Sequence, residues 1–493
     1  MQTLAGGMTA YAGISGRTRV TGEYPVERAP EPAFNTIVPK YRVGHPDEPP
    51  AVSDEVPPVE NPENQRPLKI LFFSHYFPPE GNAPASRVHE MCKRWVRDGH
   101  DVTVVTCAPN APAGQLYPGY NNNLIDREEI DGINVVRVWT FLAANKGKRR
   151  RSVNFLTYLA SATVAGMFVQ RPDVVVATSP QFFCGWAGVL VSKLRSLPLL
   201  IEIRDIWPES IRAVGAIKKR KFLLRCLESL EARMYSAATH IVTVGDGYSR
   251  QLLSRGVPAS KMSVVTNGVD RELFRDVTPD APFRTHPQLA GKFVCAYVGT
   301  LGMACGLEVA IEAGKLLKAR GRDDIRIALV GDGANREQLE TALRASGLDN
   351  VVIFGRVDKA RVPGILASVD ACLVHLKKQP LFETVLPSKI FEAAGMARPI
   401  ICGVKGCAAD LVQQAGAGIC IEPENAQQLA DALIDLADHP ARAKLYGTTG
   451  KAYVCKHYDR DMLSAKYVGV LRQTLAKWTG RLVRRVASAL QPA

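Results

Sequence analysis

The 493-residue sequence is poor in the features that mark several large protein classes. Met1 to Val20 contain no apolar stretch of the kind that drives secretion, so no secretory leader is expected. Long hydrophobic runs are also scarce. Ser152–Gln170 carries Ser, Thr and Asn throughout, and Val174–Ser192 is broken by Pro180, whereas a membrane span needs about 20 mostly apolar residues. The 11 cysteines include no C-x-x-C pair, and Cys107, Cys295 and Cys402 sit inside apolar strand-like runs. They read as reduced, small hydrophobes of a cytoplasmic protein, and no structural metal site is expected. No G-x-G-x-x-G is followed by an acid about 20 residues on, which disfavours a dinucleotide oxidoreductase. No basic–aromatic module is present, so nucleic acid is not expected as a partner. Aromatics make up only 7% against 40 Gly and 32 Pro, which favours glycine-punctuated α/β architecture over a helical bundle.

What is present is an ordinary globular share of apolar residues (46%) and a surplus of bases. Lys and Arg number 62 against 48 acids, a formal +14, which points to an anionic partner: nucleotide, membrane surface or nucleic acid. Residues 1–67 stand apart, with 11 of the 32 prolines and three more acids than bases. Such a segment cannot bury enough surface to offset its ordering entropy, so a disordered Pro-rich tail is expected there. From Lys69 on, β-branched runs alternate with helical segments in two series. The first runs from KILFFS (69–74) to MSVVT (262–266), and the second from FVCAYVG (293–299) to AGICI (417–421). This pattern predicts an α/β fold with parallel sheets covered on both faces: two facing Rossmann-like domains, with ligand in the cleft outside the strand carboxyl ends. The expected division is 68–270, a linker at 271–291, and 292–450. A C-terminal helix over 451–475 would cross back to the first domain, and 476–493 would form a basic amphipathic tail.

The strongest chemical signal is FETVLPSKIFEAAGMARPIICG (382–403). Pro387 and Ser388 end an extended segment and open a helix, whose free N–H groups and dipole make an anion site. Lys389 adds a mobile charge there, and Glu392, one turn on, can accept hydrogen bonds from sugar hydroxyls. A phosphate site beside a carboxylate suits a nucleotide-sugar; an ordinary capped helix with a surface Lys and Glu reads the same way. In YVGTLGMACGLE (297–308), Gly299, Thr300 and Gly302 permit close approach of backbone to phosphate, or form only a tight turn. Gly81 in FPPEGNAPASR lies between a strand and a helix, in a loop flexible enough to close over an anionic ligand. Arg87 is then a phosphate ligand or a surface helix charge. Arg204 and Asp205 in EIRDIWPES read as a buried structural pair, or as a functional pair with the guanidinium on anionic oxygens.

The same segments carry a resemblance. FFSHYFPPEGNAPASR (72–87), RDGHDVTVVT (97–106), EIRDIWPES (202–210), VVTNGVDRELF (264–274), YVGTLG (297–302), LVGDG (329–333), VVIFGRV (351–357) and 382–403 resemble, in order, the retaining glycosyltransferases of family 4, which have the GT-B fold. The likeness covers roughly 68–475. It is nearest to bacterial enzymes building colanic acid, O-antigen and capsule, including the subgroup assigned to L-fucosamine transfer. The resemblance implies a catalytic set of Asp205, Arg204 and Lys389. It implies a donor set of Gly299, Thr300, Gly302, Arg356, Thr384, Pro387, Ser388, Lys389 and Glu392, with Glu392 on the ribose hydroxyls. The sequence departs from the family in three places. The first glutamate of the E-x7-E pair is Thr384, the usual His-Asp reads Arg204-Asp205, and the loop after Gly299 lacks its cation, a charge that Lys389 or Arg356 could supply. The implied reaction is metal-independent, cofactor-free transfer with retention from a nucleotide-diphosphate sugar, a UDP-sugar being favoured. The one D-x-D, Asp459-Arg460-Asp461, reads as a helix cap. A nucleotide-sugar 2-epimerase-like enzyme or a non-catalytic nucleotide-sugar-binding scaffold are the rival readings.

Three basic elements bear on the acceptor. They are KKRKFLLRCLESLEARMY (218–235), KGKRRR (146–151), and the C-terminal segment, where no acid follows Asp461 and Leu471, Leu475, Trp478, Leu482 and Val486 share a helical face. Such a helix suits an anionic bilayer, or docks its apolar face on the protein. Together they point to a polyprenyl-diphosphate-linked acceptor and a peripheral position on the inner leaflet of the cytoplasmic membrane.

Overall fold

The computed structural model describes residues 66–111, 113–144, 148–179, 181–206, 221–275 and 277–489. All but the end of the expected 1–67 tail, residues 207–210 of EIRDIWPES, 146–147 of KGKRRR and 218–220 of the basic run lie outside the described residues.

Eight strands form the first sheet: β1 (Lys69–Phe73), β2 (Asp101–Cys107), β3 (Ile125–Ile130), β4 (Ile133–Val138), β5 (Val174–Thr178), β6 (Leu199–Ile203), β7 (His240–Thr243) and β8 (Met262–Val264). Their order is β3-β4-β2-β1-β5-β6-β7-β8, and among the described residues β3 alone is antiparallel to its neighbour. The strand period of two splits the core cleanly. Leu71, Phe73, Val105, Val175 and Ala177 face helices α2 (Lys148–Phe168) and α3 (Phe182–Arg195). Ile70, Phe72, Val104, Val174 and Val176 face α1 (Ala83–Arg97). Helices α4 (Lys221–Ala237) and α5 (Asp246–Ser254) complete the connections.

The second sheet has six parallel strands, β9 (Phe293–Val298), β10 (Ile325–Val330), β11 (Val351–Phe354), β12 (Ala371–His375), β13 (Ile400–Gly403) and β14 (Gly418–Cys420), in the order β11-β10-β9-β12-β13-β14. Between and after them run α6 (Ala281–Arg284), α7 (Glu308–Ala319), α8 (Arg336–Ser346), α9 (Val362–Ala367), α10 (Ser388–Gly395), α11 (Cys407–Gln414), α12 (Ala426–Asp438) and α13 (Pro440–His457). The chain ends in α14 (Arg460–Ala489).

Three features differ from the sequence reading. β3 is IDREEI, without an apolar run; it is an edge strand that pairs only with β4 and alternates between exposed and half-buried. Residues 271–291 do not form a free linker, because Phe274, Phe283 and Leu289 are buried in the core of the second domain. The division at 475/476 is not a structural boundary either. The chain breaks at Tyr458-Asp459, where the Val269 N–H donates to Tyr458 O (2.8 Å) and the Arg460 N–H to Val269 O (3.0 Å). From there α14 runs unbroken, burying Leu463, Tyr467, Val470 and Leu471 against α1 and the first sheet, with Leu475 packed at the edge. The apolar stripe expected to meet a membrane thus begins by meeting protein.

Candidate active site

α10 starts where Pro387, with φ −64° and ψ 133°, cannot continue a helix backwards, and it has no side-chain cap. Ser388 and Lys389 in its first turn line a cleft of about 1170 Å³, open mouth included, between the two sheets. The Lys389 side chain passes directly over Gly299, in the loop after β9. A Cβ on Gly299 would lie 2.6 Å from both Cε and Nζ of Lys389, and the Gly299 φ of +140° is itself unsuited to a side chain. Lys389 Nζ also sits 4.9 Å from the centroid of the Tyr297 ring, whose hydroxyl donates to Thr300 O (2.8 Å). Gly331, after β10, packs on the carbonyl of Gly299 too closely for any side chain. The two glycine loops therefore brace each other and set the backbone height beneath Lys389.

Glu392, one turn into α10, faces the same cleft. Among the described residues no hydrogen bond reaches its carboxylate. Burial pushes its pKa above the usual carboxylate value, although Lys389 and Lys359 pull the other way. A helix start, a lysine and a carboxylate open to the cleft thus share one wall. They can hold a diphosphate and a pair of hydroxyls side by side.

The opposite wall belongs to the first domain and comprises Gly81, Ser86, Arg87, Glu90 and Arg94 of the α1 region, with Arg204, Asn267 and Gly268 from loops after β6 and β8. Arg87 is not a free phosphate ligand. It donates to Glu202 Oε2 from Nε (3.1 Å) and Nη2 (3.0 Å), to Val265 O (2.8 Å), to Thr266 O (2.8 Å) and to Asn267 Oδ1 (3.0 Å). With its donors spent, the guanidinium is a clamp that fixes α1, β6 and the Asn267-Gly268 turn. Glu202 is buried, which raises its pKa, but the charges of Arg87 and Arg204 and its hydrogen bonds outweigh this and hold it below the ordinary value. Arg204 donates to Pro84 O and Ala83 O, each at 3.3 Å, and burial lowers its pKa to about 10, so it stays protonated at neutral pH.

A charge network crosses the cleft. Glu90 on α1 accepts from Lys359 of the second domain (2.8 Å) and contacts Arg460, while Arg94 bonds Asp270 (2.9 Å) and Asp461 (2.7 Å). Asp459 Oδ1 accepts the Asp461 N–H (2.7 Å), so the D-x-D caps α14.

The cleft gathers Gly81, Arg87, Arg204, Gly299, Thr300, Ser388, Lys389 and Glu392 from the expected set. Gly302 and Pro387 are not among its lining residues. Arg356 is exposed on the second domain, its Nη2 3.7 Å from where a Gly81 Cβ would be. Thr384 is displaced from the donor set. Its hydroxyl donates to Leu381 O (2.8 Å), and its Cβ lies 2.5 Å from where a Gly247 side chain would start, so it seals the domain contact instead. Asp205 is not among the cleft residues; its N–H, just after β6, donates to Ser179 Oγ (3.3 Å). Sequence reasoning missed Glu202, Asn267, Glu90, Lys359 and Arg460. Glu202, Asn267 and Arg460 stood inside quoted motifs; Glu90 and Lys359 carried no local signal.

Two domain families match this architecture. The first, a glycosyl transferase 4-like domain, covers residues 82–268, and the second, glycosyl transferases group 1, covers 292–439. The two domains are those of a GT-B glycosyltransferase. The chain is 23% identical over 420 residues to a protein of Escherichia coli (strain K12) named as a colanic acid biosynthesis glycosyl transferase, covering 82% of this chain and 100% of that one. It is 25% identical over 402 residues to the amylovoran biosynthesis glycosyltransferase of Erwinia amylovora, covering 76% and 92%. Among solved structures, sucrose-phosphate synthase from Thermosynechococcus elongatus superposes with a TM-score of 0.65 at 16% identity, over 86% of this chain and 100% of that one. The Anabaena protein HepE, in complex with UDP and glucose, superposes at 0.61 and 19% identity, over 82% and 99%. These structures share the glycosyltransferase's two-sheet fold. None of its described helices is long and apolar enough to cross a membrane.

Proposed function

We propose that this glycosyltransferase moves a sugar, with retention, from a nucleotide-diphosphate donor to a lipid-linked saccharide during assembly of a cell-surface polysaccharide. The observation that carries the proposal is the single wall on which the uncapped start of α10, Lys389 over Gly299, and Glu392 meet. A UDP-sugar is the favoured donor, in keeping with the UDP complex of the Anabaena neighbour. The colanic acid and amylovoran names of the relatives support a polysaccharide product. In this reading Lys389 and the α10 N–H groups hold the diphosphate, the Gly299-Thr300 backbone lies along it, and Glu392 accepts from the ribose hydroxyls. As the bond from the sugar's anomeric carbon to the β-phosphate oxygen breaks, those same groups neutralise the growing charge, so no metal is invoked. The acceptor oxygen bonds to the anomeric carbon on the same face, and its proton passes to the leaving phosphate oxygen. Arg204, held at the start of α1, faces the anionic end of the acceptor. The acceptor is a polyprenyl-diphosphate saccharide, met by a protein peripheral to the inner leaflet. The test is transfer from a UDP-sugar to such an acceptor in detergent, with the product's anomeric configuration read by NMR. Retention is expected. An inverted product would defeat the mechanism, and conversion of the donor without acceptor would favour an epimerase.

A further inference from the structure

α2 and α3 pack side by side on one face of the first sheet, and neither contains an acid. Between Asp131 and Glu202 the sequence holds nine bases and one acid, Asp173, and that carboxylate is bonded to Arg66 and to the Lys69 N–H. The inward faces are spent on the core, through Tyr158, Ala162 and Ala165 of α2 and Cys184, Ala187 and Val191 of α3. The outward faces are apolar as well. Val164 is 56% exposed, Phe168 75% and Leu194 65%, and Val153, Leu156 and Leu190 are exposed on the same two helices. A helix on a soluble α/β domain ordinarily turns charge to solvent on that side, and a contiguous apolar patch marks an interaction surface. Both helices begin at strand carboxyl ends, the edge from which the cleft opens. The exposed Arg149, Arg150 and Arg151 at the start of α2 therefore stand at the cleft end.

We infer that the outer face of α2 and α3 is the surface by which this glycosyltransferase lies on an anionic lipid bilayer. The inference rests on the peripheral-membrane reading above and specifies its surface. Charge complementarity selects the occupant: an acid-free, base-rimmed apolar face fits anionic headgroups over acyl chains. The C-terminal helix, by contrast, turns Leu471 and Leu475 into the protein. With α2 and α3 on the membrane, the arginine-bearing end of α2 directs the cleft mouth toward headgroups carrying the diphosphate-linked acceptor.

The test is flotation of the full chain with phosphatidylethanolamine–phosphatidylglycerol vesicles and with phosphatidylcholine vesicles. The wild type is expected to float with the anionic vesicles. The double variant Phe168→Glu/Leu194→Glu should bind at least tenfold more weakly, a loss of about 1.4 kcal/mol or more, with its melting temperature unchanged. Leu445→Glu, at an exposed leucine of the second domain, should bind within twofold of wild type. Arg149→Glu/Arg150→Glu should remove the preference for anionic vesicles. If the wild type binds vesicles but the double variant binds equally well, this surface is wrong while the peripheral reading stands. If the wild type binds no vesicles, both fall. Loss of a wild-type dimer in the double variant, without vesicle binding, would make the face a protein interface and overturn the inference.

Discussion

Arg87 separates a clamp from a ligand, and its replacement by alanine decides between them. Its side chain is 5% exposed and that of Glu202 2%. Removing the arginine leaves a buried carboxylate whose main partner is gone, a change that costs about 3–5 kcal/mol. Each kcal/mol shifts the melting of a domain of this size by about 2–4 °C, so a drop of roughly 6–20 °C is expected. The deficit should shrink on acidification. Glu202 in the native protein has a depressed pKa, so its stabilisation is present above the ordinary carboxylate range and is lost as pH falls through the native value. Without Arg87 the buried carboxyl takes up its proton at a higher pH, which relieves the uncompensated charge. Replacing both partners, as Arg87→Met/Glu202→Leu, should recover more than half of the loss. The assay is calorimetric melting at neutral and mildly acidic pH beside donor titration. An alanine variant that melts within about 2 °C of wild type yet binds donor tenfold more weakly would refute the clamp and make Arg87 a ligand.

Gly299→Ala should weaken donor binding about as much as Lys389→Ala, because the new Cβ would occupy the path of Lys389; titration of the double variant should show little additional loss. Thr384→Ala should change donor affinity less than twofold, since its hydroxyl is used on Leu381 O, whereas Gly247→Ala should disturb the domain contact and lower turnover. A large affinity loss in Thr384→Ala would return that residue to the donor site. Glu392 carries a carboxyl that burial raises, so it is protonated at a higher pH than a free glutamate. Donor affinity should therefore fall on acidification starting above the ordinary carboxylate range, and Glu392→Gln should flatten that part of the pH profile.

The two sheets were legible because their strands are buried on both faces and read as short β-branched runs. β3 was not, because an edge strand of Asp, Arg and Glu needs only its neighbour β4 to hold it. The α10 side of the cleft was legible for a similar reason: Ser388, Lys389 and Glu392 sit within about one and a half helical turns, so their grouping is local. The facing wall depends on distant pairs. Arg87 looks like a surface helix charge until Glu202, Val265, Thr266 and Asn267 are folded onto it, and nothing near Lys359 announces Glu90. Thr384 was misplaced because its spacing from Glu392 is local but the direction of its segment is set by Gly247, in the other domain. For the C-terminal stripe, helical period cannot say what covers a face; here Leu471 joins the core that holds Trp95.

The central claim is that Lys389 and Glu392 form one half of a nucleotide-sugar site. Isothermal titration of the wild type, Lys389→Ala and Glu392→Ala with UDP-, GDP- and ADP-sugars tests it most directly. Selective binding of one donor class, UDP-sugars in this account, is expected. Each variant should then lose about 1.5–3 kcal/mol, roughly 10- to 150-fold, with its melting temperature unchanged. A donor bound equally well by wild type and both variants would contradict the site, and no binding to any of the three would contradict the function proposed for it.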